Sequence, residues 1–176
     1  MKKDNILNYD EGFKDCKNGF SGETKVWVSI EYYAGYYKTA SELSKSKESF
    51  ITDTFDLKRN YFRCNKASIK PIDKTENLVE IVYGRFEEVQ FKKVKCTLDC
   101  QFLILINSDC GNENKSSSNM KWVKASDLEK GMQIVTEGSS MYVYDKSIIE
   151  CNDDIYYLSS ENNGSFAIDG GIIVRC

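Results

Sequence analysis

The chain has 176 residues, of which 41% are hydrophobic and 12% aromatic, with a single proline and a formal net charge of −3. This length suits one domain with one sizeable core, and this composition is typical of an ordered globular chain rather than a disordered one. The near-balanced charge argues against a nucleic-acid partner, because phosphates require a concentrated basic surface. The densest basic cluster, Lys92, Lys93 and Lys95, is interpreted as the solvated face of a strand.

The first predicted elements follow a polar stretch. Residues 1–18 carry little periodicity and are interpreted as an N-terminal arm, which leaves residues 19–176 as the domain. Residues 24–30 are rich in β-branched and aromatic side chains, as expected of a half-buried strand. Two tyrosine pairs on either side of an alanine–glycine step indicate a hairpin, and residues 41–49 indicate a short helix or a loop.

Further strand candidates follow at short intervals along the rest of the chain. They comprise residues 61–66, 68–72, 78–83, 85–91, 101–106, 121–125, 132–136, 141–144, 148–151, 155–158, 165–168 and the closing segment. About a dozen short strands with frequent turns predict an all-β domain. Residues 109–119 are polar and small, and they are interpreted as an exposed loop.

The chain contains no histidine, which excludes metal sites built on histidine and Ser–His or Cys–His nucleophile pairs. Its seven cysteines are odd in number and mostly far apart, which predicts reduced thiols in an intracellular chain rather than a disulfide framework. A zinc site from Cys96, Cys100, Cys110 and Cys151 is disfavoured, because structural zinc sites usually have two close cysteine pairs. We therefore predict neither a metal nor another cofactor.

No secretory signal is predicted, because Met1, Lys2 and Lys3 precede polar residues rather than an apolar segment. The longest apolar run, residues 102–106, is about a quarter of the roughly 20 residues that a membrane-spanning helix needs. We therefore expect a cytoplasmic protein that does not engage a membrane.

Four stretches carry motif-like patterns in a fixed order. They are residues 19–26 (GFSGETKV), residues 96–103 (CTLDCQFL), residues 122–132 (WVKASDLEKGM) and the ending, in which a glycine pair, three apolar residues, Arg175 and Cys176 follow one another. The last stretch is preceded by residues 155–158 (IYYL). Each pattern alone is a weak signal, whereas four in sequence are not.

In this order and at these separations, the four stretches resemble the sequence blocks of inteins and bacterial intein-like domains, the Hint-fold family. In that family the blocks read Cys-Phe-x-Gly-Asp-Thr-x-Val, then Thr-x-x-His, then Trp-x-x-Ala-x-x-Leu-x-x-Gly-Asp, and finally Gly, three apolar residues and His-Asn. The resemblance implies an all-β, Hint-like horseshoe fold and an ancestral activity of autocatalytic protein splicing. It also implies that residues 109–119 lie where inteins carry a homing endonuclease or a split point.

The resemblance assigns the splicing positions, and four of them are altered. Gly19 stands where the family has its nucleophilic cysteine, and Cys100 stands where the family has the histidine that activates the scissile peptide. Arg175 and Cys176 replace the final His-Asn. The resemblance implies that Gly19, Cys100 and Cys176 meet at one centre, because the Hint fold brings both ends of the domain and the second block together.

The remaining family positions cannot supply the missing chemistry. Thr97 and Asp99 match the second block, but supporting residues need a nucleophile and a proton carrier beside them. A thiol at position 100 lacks the two-sided donor and acceptor geometry of imidazole. Arg175 stays protonated, and we expect it to face water or to pair with Asp169.

These losses predict a degenerate, non-catalytic domain, not an enzyme, that acts as a structural or protein-interaction module. Because the family occurs in prophages and other mobile elements, one expectation is a phage-encoded assembly and a virion-associated location. The predicted partners are other proteins, contacted through Tyr32, Tyr33, Tyr36 and Tyr37, since tyrosine is enriched at interfaces. Packing of these tyrosines in the domain's own sheet is an equal alternative.

Three other interpretations stay open at the sequence level. In the first, Cys16 replaces the missing nucleophile through an insertion or bulge and supports residual N-terminal thioester formation and autocleavage. In the second, Gly19 and Cys176 are deliberate replacements that block splicing, which leaves Cys100 unexplained. In the third, the chain is an unrelated β-rich binding module, in which Gly19, Cys100 and Cys176 would lie far apart.

Overall fold

The computed structural model describes residues 18–31, 34–56, 59, 61–72, 77–86, 89–106, 119–136, 138, 141–161 and 164–176. Most of the predicted arm with Cys16, the two tyrosines Tyr32 and Tyr33, and the predicted loop apart from Asn119 lie outside the described residues.

The described residues form fourteen strands, one α-helix and a 3-10 turn. They are β1 (Phe20–Ser21), β2 (Lys25–Glu31), β3 (Ala34–Thr39), α1 (Ala40–Ser46), β4 (Phe50–Asp56), β5 (Tyr61–Ile72), β6 (Asn77–Gly84), β7 (Lys92–Cys96), β8 (Gln101–Leu105), β9 (Met120–Lys124), the 3-10 turn (Ala125–Asp127), β10 (Gln133–Ile134), β11 (Met141–Glu150), β12 (Ile155–Ser160), β13 (Ser165–Ile168) and β14 (Ile172–Arg175).

One antiparallel sheet contains all the strands of the described residues. Its order is β3-β2-β13-β14-β8-β10-β11-β6-β7-β1-β12-β5-β4, with β9 paired to β8 beside this path. The sheet folds back on itself, because β4, at one end of the order, contacts β2 and β13 near the other end. The Phe55 amide of β4, for example, donates a hydrogen bond to the Ser165 hydroxyl of β13 at 3.3 Å.

The central strands β8 and β14 carry uninterrupted apolar runs of four and three residues because both of their faces are covered. On β8, Phe102 and Ile104 belong to one hydrophobic cluster, and Leu103 between them belongs to a second cluster on the opposite face. On β14, Ile173 likewise joins the second cluster while its two neighbours join the first. Successive strand side chains point to opposite faces, so two cores require continuous rather than alternating hydrophobicity.

The predicted all-β class is confirmed, and several local predictions need correction. Residues 85–91 were expected to form a strand, but the described residues of this stretch contain none, and Phe86 and Val89 are 83% and 95% exposed. The strand pairs predicted within 61–72 and 141–151 are single long strands, β5 and β11. Strand β4 was not predicted at all.

The basic cluster lies on β7, and each of its lysines has an acidic partner. Lys92 pairs with Asp169 at 3.2 Å, Lys93 with Glu80 at 2.9 Å and Lys95 with Asp153 at 3.4 Å. These pairs neutralise the positive charge locally, so the cluster is not a concentrated basic surface. Among the described residues, the structure contains no helix with the length and apolar character needed to cross a membrane.

Candidate functional site

The candidate site begins at Gly19, which the short strand β1 fixes in position. Phe20 pairs with Cys96 of β7 and with Tyr156 of β12, and its side chain is fully buried. The ring of Phe20 packs edge-on against Phe102 and Phe166, with ring centroids 6.5 and 5.8 Å away. Such packing anchors the backbone immediately before it.

Thr97 holds Gly19 through hydrogen bonds on both sides of the residue. The Gly19 amide donates to the Thr97 hydroxyl at 3.0 Å, and the Thr97 amide donates to the Gly19 carbonyl oxygen at 2.9 Å. The peptide bond between Asn18 and Gly19 is therefore placed beside the second block. Its position corresponds to the upstream bond that the resemblance assigns to splicing.

Cys100 contacts the same Gly19 carbonyl oxygen as the Thr97 amide does. The Cys100 amide donates to the Thr97 carbonyl at 3.2 Å in a turn just before β8. This turn directs the thiol toward the interior. The Cys100 thiol donates to the Gly19 carbonyl oxygen at 3.2 Å and lies 3.3 Å from the Thr97 hydroxyl. Cys100 is fully buried.

Cys176 completes this group from the closing strand. In the antiparallel pairing of β8 with β14, Val174 lies opposite Phe102 and Arg175 lies opposite Gln101. Continuing this register by one residue sets Cys176 against Cys100, and the two sulfurs are 3.4 Å apart. We call Gly19, Thr97, Cys100 and Cys176 the Gly19 centre.

The thiols near the Gly19 centre differ in how readily they ionise. Burial opposes ionisation of Cys100, but hydrogen bonds from Cys176, Cys96 and Thr97 outweigh it and lower the pKa of the Cys100 thiol. Burial raises the pKa of Cys96 and of Cys176, and the adjoining Cys100 raises both further. Cys100 is therefore the first of the three thiols to become a thiolate.

Two of the positions assigned by the resemblance point away from the Gly19 centre. The Asp99 side chain is 56% exposed and pairs with Lys124 at 2.7 Å. The Arg175 Nε donates to the Gln101 side-chain oxygen at 2.6 Å, and its guanidinium lies 4.4 Å from the centroid of the Trp122 ring. Arg175 thus contacts Gln101 and Trp122 instead of Asp169, which pairs with Lys92, and its side chain remains partly exposed.

The space beside Gly19 is occupied by the backbone of β12. A Cβ atom at position 19 would lie 2.6 Å from the Tyr156 carbonyl oxygen and 2.7 Å from Cγ2 of Ile155. The Tyr156 carbonyl carbon would be 2.9 Å away. These distances are shorter than carbon–oxygen and carbon–carbon van der Waals contacts allow, so the position admits only glycine unless β12 moves.

Of the tyrosines predicted to form an interface, the structure describes Tyr36 and Tyr37. Both lie on β3, at one end of the strand order, and each is 40% exposed. The Tyr37 ring packs edge-on against Trp27 at 5.1 Å, and Lys38 lies 5.5 Å above the Tyr36 ring. The two side chains thus pack partly within the domain and remain partly accessible.

Sequence reasoning missed three contributors to this region. The carbonyl of Tyr156 and the side chain of Ile155 fill the space next to Gly19, and Trp122 stacks on Arg175. Trp122 belongs to the third sequence block, so the sequence could have indicated that it lies near the site. Within the described residues, no group of three or more cysteine, aspartate or glutamate side chains has an arrangement that could hold a metal ion.

Solved structures with the same fold are inteins and an intein-like domain. An intein from a hyperthermophile superposes with a TM-score of 0.69 at 16% identity, covering 90% of this chain and 99% of that one. A DnaB intein from Synechocystis gives 0.65 at 18% identity, covering 90% and 98%. A bacterial intein-like domain from Clostridium thermocellum gives 0.58 at 13% identity, covering 89% and 96%.

The chain therefore has the Hint fold of inteins and bacterial intein-like domains. No protein-family model matches the chain, and neither does any curated protein. The expected Hint-like fold is confirmed, and Gly19, Cys100 and Cys176 meet as that fold requires.

Proposed function

We propose that this chain is a Hint-fold domain that no longer splices and that serves as a structural or protein-interaction module. The observation that carries the proposal is the filled space at position 19. A side chain there would collide with the backbone of β12 at 2.6 Å. The site is thus built around a residue that cannot attack a carbonyl.

The proton-transfer positions support the same conclusion. Splicing needs a group that both accepts and donates protons near the scissile bond. At the Gly19 centre, Cys100 donates to the Gly19 carbonyl oxygen in place of an imidazole. Arg175 is engaged with Gln101 and Trp122, and a guanidinium does not release its proton in the usable pH range.

The framework around these positions is nevertheless complete, which supports a retained role for the scaffold. Phe20, Phe102 and Phe166 form a fully buried aromatic cluster next to Gly19. The termini of the domain meet there, as they do in a splicing protein. A rigid scaffold of this kind presents its surfaces reproducibly to a partner, and the setting we propose is a phage-encoded or mobile-element-encoded assembly.

The surface that we assign to the partner is the edge strand β3 with Tyr36 and Tyr37. An exposed strand edge can accept an added strand from another protein through its backbone groups. Tyrosines contribute contact area with a polar tip and lose little conformational entropy. Both tyrosines are 40% exposed, so each has further surface to bury.

The first experiment measures the intact mass of the purified protein before and after one day with excess dithiothreitol or hydroxylamine. We expect the full-length mass in every sample. Loss of the residues that precede Cys16, abolished in a Cys16→Ala variant, would overturn the proposal in favour of thioester-dependent self-processing. Strong thiols and hydroxylamine are suited to this test because they capture thioesters.

A second experiment tests the interaction surface. Affinity capture from the source organism, quantified by mass spectrometry, is compared for the unaltered protein, Tyr36→Ser and Tyr61→Ser. Tyr61 is the matched control because it is 41% exposed, close to Tyr36 at 40%, but lies on β5. We expect a specific partner to be lost in Tyr36→Ser and retained in Tyr61→Ser; equal retention in both would exclude β3 as the surface.

A further inference from the structure

The sulfurs of Cys100 and Cys176 lie 3.4 Å apart at the Gly19 centre. We propose that this pair is a thiol–disulfide exchange site, at which small-molecule disulfides such as oxidised glutathione create a reversible Cys100–Cys176 disulfide. The inference concerns chemistry that splicing does not use and is independent of whether the domain binds a partner.

The strand register places the two residues at a separation that a disulfide can span. They extend the antiparallel pairing in which Arg175 faces Gln101. Directly opposed residues in such a pair have Cα atoms about 4.5–5.5 Å apart. This separation falls inside the range of roughly 4.4–6.8 Å that is found for disulfides. A small rotation of the side chains therefore suffices to bring the sulfurs within bonding distance.

The difference in exposure sets the order of the chemical steps. Cys176 is partly exposed, whereas Cys100 is fully buried. The Cys176 thiol passes its proton to the Cys100 thiolate 3.4 Å away, and the Cys176 sulfur attacks one sulfur of oxidised glutathione. This forms a mixed disulfide on Cys176 and releases one glutathione thiolate, which takes the proton from Cys100. Cys100 then attacks the Cys176 sulfur, which closes the protein disulfide and releases the second glutathione thiolate.

The electron balance of these steps is complete without a further oxidant. Two protein thiols lose two electrons and two protons in total, and one oxidised glutathione is reduced to two reduced molecules. The second step needs a thiolate on the buried partner. Cys100 supplies it, because the hydrogen bonds from Cys96 and Thr97, which favour its thiolate, remain after Cys176 has lost its S–H.

Closing the bond alters the Gly19 centre. Cys100 loses the thiol hydrogen that it donates to the Gly19 carbonyl oxygen, and the start of β8 becomes covalently joined to the end of β14. The two residues are 76 positions apart in sequence. A link across so long a segment restricts the unfolded chain strongly, so the oxidised protein should melt roughly 5–15 °C higher than the reduced one.

The experiment incubates the folded protein with oxidised glutathione, with reduced glutathione as the reference, and then maps its peptides without reduction. We expect the oxidised protein to lose the mass of two hydrogen atoms and to yield a peptide pair linked through Cys100 and Cys176. Returning the sample to reduced glutathione should restore the original mass. An unchanged mass, or a link between other cysteines, would overturn the proposal.

Three variants separate the steps. Cys100→Ala should stop after the first step and retain one glutathione on Cys176. Cys176→Ser should show at least a tenfold smaller fraction of linked protein and lose the rise in melting temperature. Cys151→Ser is the matched control, because Cys151 is partly exposed like Cys176 but does not belong to the Gly19 centre, and it should retain the link. A link that survives in Cys176→Ser would contradict the assignment even if Cys100→Ala fails to fold.

Discussion

Gly19 has no side chain, and atoms of Tyr156 and Ile155 occupy the space that a side chain there would need. We expect Gly19→Ala to lower the free energy of unfolding by about 1–3 kcal/mol, since overpacking of a filled site has a cost of this size. The added Cβ would lie 2.6 Å from the Tyr156 carbonyl oxygen, and a backbone atom cannot rotate away. Urea denaturation followed by circular dichroism measures the change.

Gly138→Ala is the matched control for this substitution. A Cβ at position 138 meets no atom within 4 Å, so its effect should stay within about 0.5 kcal/mol. If the two alanine variants were equally stable, the space beside Gly19 would not be filled as described. A fully stable Gly19→Cys variant would likewise remove the main argument against splicing.

Arg175 is the second residue whose surroundings define its role. We expect Arg175→Lys to destabilise the fold by about 0.5–2 kcal/mol, because an ammonium keeps the charge but loses the planar stack and the directed Nε hydrogen bond. The emission of Trp122 should also shift, measured in a Trp27→Phe background so that one tryptophan remains. Lys121→Ala is the control, because Lys121 is exposed and precedes Trp122 on β9. This substitution should change neither the stability nor the Trp122 emission.

Among the elements, α1 links the Gly19 region to the rest of the fold. The Ser41 amide donates to the Gly22 carbonyl at 3.1 Å, three residues after Gly19. Thr39 caps the helix, and its amide and hydroxyl donate to the Glu42 carboxylate at 2.9 and 2.8 Å. This arrangement is a capping box, which satisfies amides at a helix start.

The capping box makes helix stability depend on pH. The Thr39 backbone and side-chain hydrogen bonds lower the pKa of Glu42 below its ordinary value of 4.5. Because the folded pKa is the lower one, the carboxylate stabilises the fold above pH 4.5, and this contribution is lost as pH falls through the lowered value. Glu42→Gln should therefore reduce stability at pH 7 and flatten the decline below pH 4.5.

Thermal unfolding between pH 3 and pH 7 measures this effect, with the exposed Glu48→Gln as the control. The control should follow the pH profile of the unaltered protein. Parallel profiles for Glu42→Gln and the unaltered protein would show that the capping carboxylate does not couple to folding.

Strands were predictable where two hydrophobic faces produce apolar runs, and less so where polar groups are buried. Strand β4 was missed because Thr52, Thr54 and two aspartates interrupt its apolar residues. The Thr54 hydroxyl is instead satisfied across the sheet, since it donates to the Arg63 carbonyl at 3.1 Å and accepts from the Asn65 amide at 2.6 Å. Residues 85–91 gave the opposite error, because Phe86 and Val89 look like strand residues but are exposed.

For the candidate site, the sequence predicted which residues meet but not which neighbours they contact. The four sequence blocks were enough to predict that Gly19, Cys100 and Cys176 meet, because the blocks indicate the fold. The partners of Arg175 were not predictable from the residue itself, since the register of β14 on β8 determines that Gln101 faces it. The filled space at position 19 depends in turn on where β12 runs.

At the scale of the whole molecule, strands from the part of the chain before residue 107 and strands from the part after residue 118 are interleaved in one sheet. Strands before residue 107 supply β1 to β8, and strands after residue 118 supply β9 to β14. Each of β11, β12, β13 and β14 pairs with at least one strand of the first part. The strands of the first part stand in the sheet as the separate groups β3-β2, β8, β6-β7-β1 and β5-β4, which strands of the second part join, so each part depends on the other to complete the sheet.

We therefore expect a chain cut between Asn112 and Glu113 to assemble from its two pieces. Produced together, the pieces should co-purify as a one-to-one complex that unfolds cooperatively, whereas neither piece alone should show a cooperative transition. Light scattering after size exclusion and thermal denaturation measure these properties. A control cut between Asp145 and Lys146 interrupts β11 where it pairs with β6, and it should abolish assembly. Pieces of the first cut that fold separately would mean that the interleaved strand order is not what holds the domain together.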